Sequence, residues 1–340
     1  MSKITAYKIL TITIAITLSF IIAEIIMRFY YFKKLTTDKL ILSTNENLVF
    51  EHKPSITFIN RYGIKVKYDS LGFIGEEVGL KSKDYFRILG VGDSITEGSY
   101  LPEPERYLNK TGKILEKEIN RHIEIINASV GGYNSWQELE IIREKGLSVE
   151  PDLIIVGICL NDYVEKKPSL RRVGFNRVSD NFNDGSQARY LNFLYQRTAL
   201  YKFIYDFVCN IKKSGYKDES YQRYLKEYNF DIGLSDFQKW KKPFIDMIAL
   251  TRKNKIKILF VILPLHNQII KGEEESYKPL SDFFREEGAY FLDLIKYFKD
   301  TPQSGEVLFI RRDIIHFNRL GHNIAAEAIA KYILENKILE

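Results

Sequence analysis

From residue 86 the chain alternates short apolar runs with amphipathic stretches, and this alternation limits what it can fold into more than any other feature. The apolar runs are 86–91 (FRILGV), 122–128 (HIEIINA), 153–158 (LIIVGI), 255–263 (KIKILFVIL, stopped by Pro264) and a short one at 289–292. Between and after them, 103–120, 134–145 and 320–334 read as helices. Strands separated by helices of this length build βαβ units, hence a parallel sheet with helices on both faces. Near-continuous β-branched runs suit strands buried on both sides. The predicted fold class is therefore α/β. The pattern does not fix the order of the strands.

Ahead of this core, residues 9–23 (ILTITIAITLSFIIA) carry no charge, and the apolar segment extends from 4 to 27. That is close to the roughly 20 residues a helix needs to cross a bilayer. Lys8 and Glu24 stand towards its ends, and Arg28, Phe29, Tyr30, Tyr31, Lys33 and Lys34 follow in an order suited to a membrane interface. Ile21-Ile22-Ala23 is a poor match to a small-residue cleavage site, which favours an uncleaved signal anchor over a removed leader. Lys3, Lys8 and the amino group on one side match Arg28, Lys33 and Lys34 on the other, so the positive-inside rule gives no orientation. Residues 35–85 read as a linker ending in a small β element, with 64–68 alternating like a strand and Ser70-Leu71-Gly72 as a turn. Residues 165–254 form a long insertion between the third and fourth strands, with a polar loop at 179–187.

Net charge is +6, with lysines dispersed and no block of like charge, which argues against a nucleic-acid surface. Two cysteines, Cys159 and Cys209, make neither a disulfide framework nor a metal-binding pair. No metal and no cofactor is implied.

The loop after the first strand reads Gly90-Val-Gly-Asp-Ser-Ile-Thr-Glu-Gly98. Ile95 stands where a dinucleotide fingerprint needs its third glycine, and no lysine is present to make a phosphate loop. A nucleophilic serine remains. Ser94 follows a strand end, where an open sheet forms its crevice, and it needs a base to take its proton. His316 is the best candidate, with Asp313 three residues earlier to hold its other ring nitrogen. His322 lacks a carboxylate at a matching offset; His266 reads as a loop residue, and His52 and His122 as incidental. Gly132 after the second strand and Asn161 after the third fall on the same sheet edge, where an oxyanion needs donors. Each residue has a plainer reading. Ser94 could cap a helix, Gly132 could serve a turn, Asn161 could make an Asx turn, and His316 could enter a helix capped by Asn318. Asp93 is expected to bond the loop rather than react.

Taken in order, Gly92-Asp93-Ser94, Gly132, the G-x-x-x-N-D form around Asn161, and Asp313-x-x-His316 resemble the four blocks of the SGNH/GDSL hydrolases over residues 86–337. Tyr68-Asp-Ser-Leu-Gly-Phe-Ile-Gly75 is similar to an element preceding the core in membrane-attached members. The resemblance implies a three-layer α/β/α flavodoxin-like fold and ester hydrolysis. It also implies an oxyanion hole made by the Ser94 N–H, the Gly132 N–H and the Asn161 amide. The expected organisation is a membrane anchor (1–34), a linker with a small β element (35–85) and a hydrolase domain (86–340). The expected activity is hydrolysis of an acyl ester, an O-acetylated glycan being one candidate. Acyl transfer to a glycan and a silent glycan-binding module are the rival functions. The membrane is the expected partner of residues 4–27, with the domain outside the cytoplasm. Protein partners cannot be read from the sequence.

Overall fold

The computed structural model describes residues 3–34, 39–60, 62–159, 162, 200, 204, 241–271, 278–301, 308–310, 313 and 315–340. Asn161, Cys209, the polar stretch 179–187 and most of 165–254 lie outside them. The chain divides into two units, Met1–Asp38 with Leu170–Tyr216, and Lys39–Ser169 with Lys217–Glu340.

In the first unit, helix α1 spans Lys3–Lys34. Its segment Tyr7–Met27 is long and apolar enough to cross a membrane, with a mean hydropathy of 2.4 and no part buried by protein. Its hydroxyls do not interrupt that character. Thr11, Thr13, Thr17 and Ser19 each donate to the carbonyl four residues earlier, at 2.8–2.9 Å. A hydroxyl satisfied within its own helix can be moved into an apolar medium at little cost.

The second unit begins with two antiparallel pairs, β1 (Leu40–Leu42) with β2 (Phe50–His52), and β3 (Ile56–Ile59) with β4 (Lys65–Tyr68). The Ser70-Leu71-Gly72 turn is present. Asp69 Oδ1 accepts the N–H groups of Leu71 and Phe73, and Gly72 takes φ +83°. Next come β5 (Phe86–Gly92), α2 (Ser94–Glu97), α3 (Tyr107–Ile119), β6 (Ile123–Asn127), α4 (Ser135–Glu144), β7 (Leu153–Ile158), α5 (Lys242–Lys253), β8 (Lys257–Ile262), α6 (His266–Lys271), α7 (Lys278–Glu286), β9 (Tyr290–Asp293), α8 (Ile295–Lys299) and α9 (Arg319–Glu335). Each apolar run expected to be a strand is one, to within two residues at either end. The helix expected over 103–120 is broken. Glu103–Glu105 is a 3-10 turn and Arg106 is extended (ψ 148°) before α3 begins. Pro104 sits in the first turn, where its missing N–H is not needed, so the chain changes course only beyond it, at Arg106.

The five strands form one parallel sheet in the order β6-β5-β7-β8-β9. The residues of β5 and β7 are buried throughout, as strands covered on both faces must be. Helix α3 packs on α9 and β6, whereas α4 packs on α5 and β5. With right-handed crossovers these pairs lie on opposite faces, giving three layers. Helix α5 occupies the end of the 165–254 stretch and is the crossover into β8. Phe260 stacks on Phe284 at 4.1 Å, and Phe244 meets both rings edge-on, sealing the α5 side of the core.

The chain leaves β5 towards β6 and then returns to place β7 on the other side. This reversal opens a crevice at the carboxyl ends of β5 and β7. At that point Gly92 and Gly157 are register partners. A Cβ on Gly157 would lie 2.9 Å from both Leu263 Cδ1 and Tyr107 Oη and would strike Thr96 Oγ1. The short α2 therefore rests almost directly on sheet backbone. Gly157→Ala is expected to destabilise the protein by about 1–3 kcal/mol, the usual range for overpacking a filled core, read as a lower thermal midpoint of the detergent-purified chain. An unchanged midpoint would show that α2 has room to move.

Candidate active site

Ser94 opens α2 directly after β5. The cap is not Ser94 but Asp93, whose Oδ1 accepts the Ile95 N–H at 2.9 Å. The serine hydroxyl is thus left for other partners. Ser94 Oγ lies 2.9 Å from His316 Nε2, across 222 positions of sequence. On the other side of the ring, His316 Nδ1 lies 2.8 Å from Asp313 Oδ2. Asp313 Oδ1 accepts the backbone N–H groups of Ile315 (2.8 Å) and His316 (3.0 Å). Burial opposes the charge on Asp313. The hydrogen bond and charge of His316, with these backbone donors, outweigh it and hold the carboxyl below its ordinary value.

The segment carrying both residues is fastened at each end. Ile310 N–H donates to His316 O at 3.0 Å, and Asn318 N–H to Leu308 O at 3.0 Å. Asn318 also caps α9 by accepting the Leu320 and Gly321 N–H groups. Capping by Asn318 and an outward-turned His316 therefore coexist. Gly321 is required where it sits, since a Cβ there would come within 2.5 Å of Leu308 O and 2.9 Å of Phe317 Cβ.

On the β6 side, the loop after the strand passes Ser94. A Cβ on Gly131 would stand 3.5 Å from Ser94 Cβ, and Gly132 adopts φ +90° with open space where a side chain would be. Among the described residues, neither the Ser94 N–H nor the Gly132 N–H has an internal acceptor. Gly132 is exposed and Ser94 half-buried, so both N–H groups are open to an oxygen arriving at the crevice, as oxyanion donors must be. Asn161 is outside the described residues, but its neighbour Asp162 is buried. Asp162 Oδ2 accepts the Cys159 N–H at 2.6 Å, and its carbonyl accepts Ser135 Oγ at 2.8 Å. Burial raises the carboxyls of Asp162 and Glu138, and nearby Asp93 raises both further.

His322 bonds other groups than Ser94. Its Nδ1 accepts the Tyr107 N–H at 3.1 Å, which places the ring proton on Nε2, 2.9 Å from Tyr100 Oη. Tyr100 in turn meets the His316 ring edge-on at 5.3 Å. His266 is buried edge-on to Phe309, and His52 is buried and stacked on Tyr68. His122 pairs with Glu116 at 2.6 Å. Sequence reasoning gave no role to Tyr100, Glu97 or Lys39. Tyr100 carries no motif. Glu97 stood in the quoted loop, one turn of helix after Ser94, and that spacing was its signal. Lys39 has none, being brought in by β1 pairing.

Burial, with the charges of Arg106, His316 and Lys110, lowers His322 to about 3 from 6.5. Between those values the unfolded chain binds a proton here that the folded chain refuses, so this contribution is full above pH 6.5 and is lost on acidification towards pH 3. His322→Gln is expected to flatten the acid limb. The wild-type advantage in unfolding free energy should shrink through this window, and a pH-independent difference would count against a neutral buried His322.

A family model described as the GDSL-like Lipase/Acylhydrolase family matches residues 91–324. Among solved structures, the chain is similar to an acetyl xylan esterase variant from Geobacillus stearothermophilus, at 14% identity and a TM-score of 0.46, covering 75% of this chain and 96% of that one. It is also similar to a member of the lipolytic protein G-D-S-L family from Veillonella parvula DSM 2008, at 14% identity and a TM-score of 0.41, covering 74% and 97%. No curated protein matches the sequence.

Proposed function

We propose, for a chain that belongs to the GDSL-like lipase/acylhydrolase family, that it hydrolyses carboxylic esters through Ser94, His316 and Asp313. The observation that carries this reading is the unbroken line from Ser94 Oγ to His316 Nε2 (2.9 Å) and from His316 Nδ1 to Asp313 Oδ2 (2.8 Å), at the crevice of the sheet.

In the first step, Ser94 Oγ attacks the acyl carbon and its proton passes to His316 Nε2. Asp313 fixes the tautomer and stabilises the imidazolium that forms. The carbonyl oxygen becomes an oxyanion and is met by the Ser94 and Gly132 N–H groups; the family resemblance adds the Asn161 amide as a third donor. His316 then returns its proton to the departing alkoxide, leaving an acyl-serine. Water repeats the sequence, with His316 as base, and releases a carboxylic acid and free Ser94.

On the substrate side, an acyl ester of a glycan hydroxyl, such as an O-acetyl group, is our reading. An exposed aromatic ring supports it. Tyr62, at the tip joining β3 and β4, packs edge-on to Tyr100 at 6.3 Å, and Tyr100 packs against His316. Such a ring offers a sugar face an apolar platform within reach of the reacting centre.

Ser94→Ala is expected to reduce turnover of a short-chain aryl ester by on the order of 10⁴ to 10⁶, the cost of losing the hydroxyl of such a triad. Unchanged turnover would remove the proposal. The Tyr7–Met27 segment supports a second statement, that α1 anchors the chain in a membrane; the extracytoplasmic side for the hydrolase unit comes from the resemblance to membrane-attached family members. A reporter fused after residue 340 should be active only on the extracytoplasmic side, and a cytoplasmic signal would reverse the orientation.

A further inference from the structure

Glu97 is buried at the end of α2, one helical turn beyond Ser94. Its Oε2 accepts the Gly131 N–H at 2.7 Å. Its Oε1 accepts the Ser99 hydroxyl and faces Lys39 Nζ at 3.7 Å. Gly131 immediately precedes Gly132, whose N–H has no internal acceptor among the described residues. The contact is close enough that a side chain at residue 131 would displace the carboxylate, since a Cβ there would lie 2.7 Å from Glu97 Oε2. One carboxylate therefore ties the helix that carries the hydroxyl to the loop that carries the oxyanion donor.

Such a tie matters because an oxyanion donor acts only at the right distance. Donors must sit about 2.7–3.1 Å from the oxygen they stabilise. The Gly132 turn has φ +90° and no side chain to pack, so nothing in residue 132 itself fixes where its N–H points. A charged acceptor holds a backbone N–H more firmly than a neutral one. Burial opposes that charge. Lys39, His52, Ser99 and Gly131 outweigh it, and the carboxyl stands at about 2. Lys39 belongs to the segment entering β1, and its own carbonyl accepts the Lys53 N–H at 2.9 Å, which fixes the backbone from which the cation reaches Glu97.

We propose that Glu97 is a positioning residue that sets the Gly132 N–H against Ser94 Oγ by clamping Gly131. The inference rests on the ester-hydrolase reading above.

The test uses the full-length chain in detergent with a short-chain aryl ester and with an alkylboronic acid, whose tetrahedral serine adduct places an oxygen at the oxyanion position. Glu97→Ala is expected to lower kcat by about 10- to 100-fold, less than the loss of a whole oxyanion donor, with KM changed by no more than about threefold. Boronate affinity should fall by the same factor as kcat/KM. Glu97→Gln keeps an oxygen for Gly131 and should restore kcat to within about fivefold of wild type. Gly131→Ala breaks the same contact from the other side. The double variant Glu97→Ala/Gly131→Ala should be no worse than the poorer single one, as for residues acting through one contact. An active wild type whose Glu97→Ala variant keeps its kcat overturns the positioning role and leaves the hydrolase reading intact. So does a Glu97→Ala loss confined to KM, a Glu97→Gln variant as impaired as Glu97→Ala, or an additive double variant. A wild type with no ester turnover, and no labelling of Ser94 by a fluorophosphonate, overturns the hydrolase reading itself and this inference with it.

Discussion

The hydrogen bond between Ser94 and His316 is the interaction on which the arrangement depends, because it joins the beginning of the sheet to the last helix. A bond spanning 222 positions cannot be made by local structure. It exists because β5 sits inside the sheet and α9 packs on α3, which flanks that strand's crossover. The segment before α9 is then delivered to the carboxyl end of β5. Every residue of β5 is buried, so the serine end of the contact stands on the most covered part of the molecule. The histidine end stands on a loop closed by its own backbone bonds.

Charge distribution around the crevice follows a consistent rule. The carboxylates that face backbone donors or cations, Asp313 and Glu97, are held ionised. Those that face one another in the interior, Asp162 and Glu138, are raised. Two histidines that do not bond Ser94, His322 and His52, are kept neutral by burial. The difference lies in what each group meets once water is removed, since burial alone disfavours every one of these charges.

Much of the architecture was legible in the sequence because the strands are nearly pure apolar runs, whose burial on two faces leaves little choice of class. The 153–158 run coincides with β7 residue for residue. Strand order was not legible, since it is fixed by which helix covers which face. The break at Arg106 was missed because the apolar periodicity continues through it. At the candidate site, Ser94 and Gly132 could be named because they follow strand ends, and Asp313 and His316 because a carboxylate three residues before an imidazole can hold its ring. Glu97 and Lys39 could not be paired, because an ion pair between α2 and the entry to β1 depends on how the antiparallel pairs fold back. Tyr100 acts through packing, which leaves no spacing rule to read.

The glycines of β5 and β7 leave a further consequence. With Gly92 beside Gly157 and Thr96 seated between them, the ground beneath the hydroxyl is made of main chain and one small side chain. Main chain cannot be traded for another residue. On the proposed reading, a lineage that altered what the site accepts would have to do so from above and around, in the loop after β6 and the tip between β3 and β4, while the platform under Ser94 stayed the same.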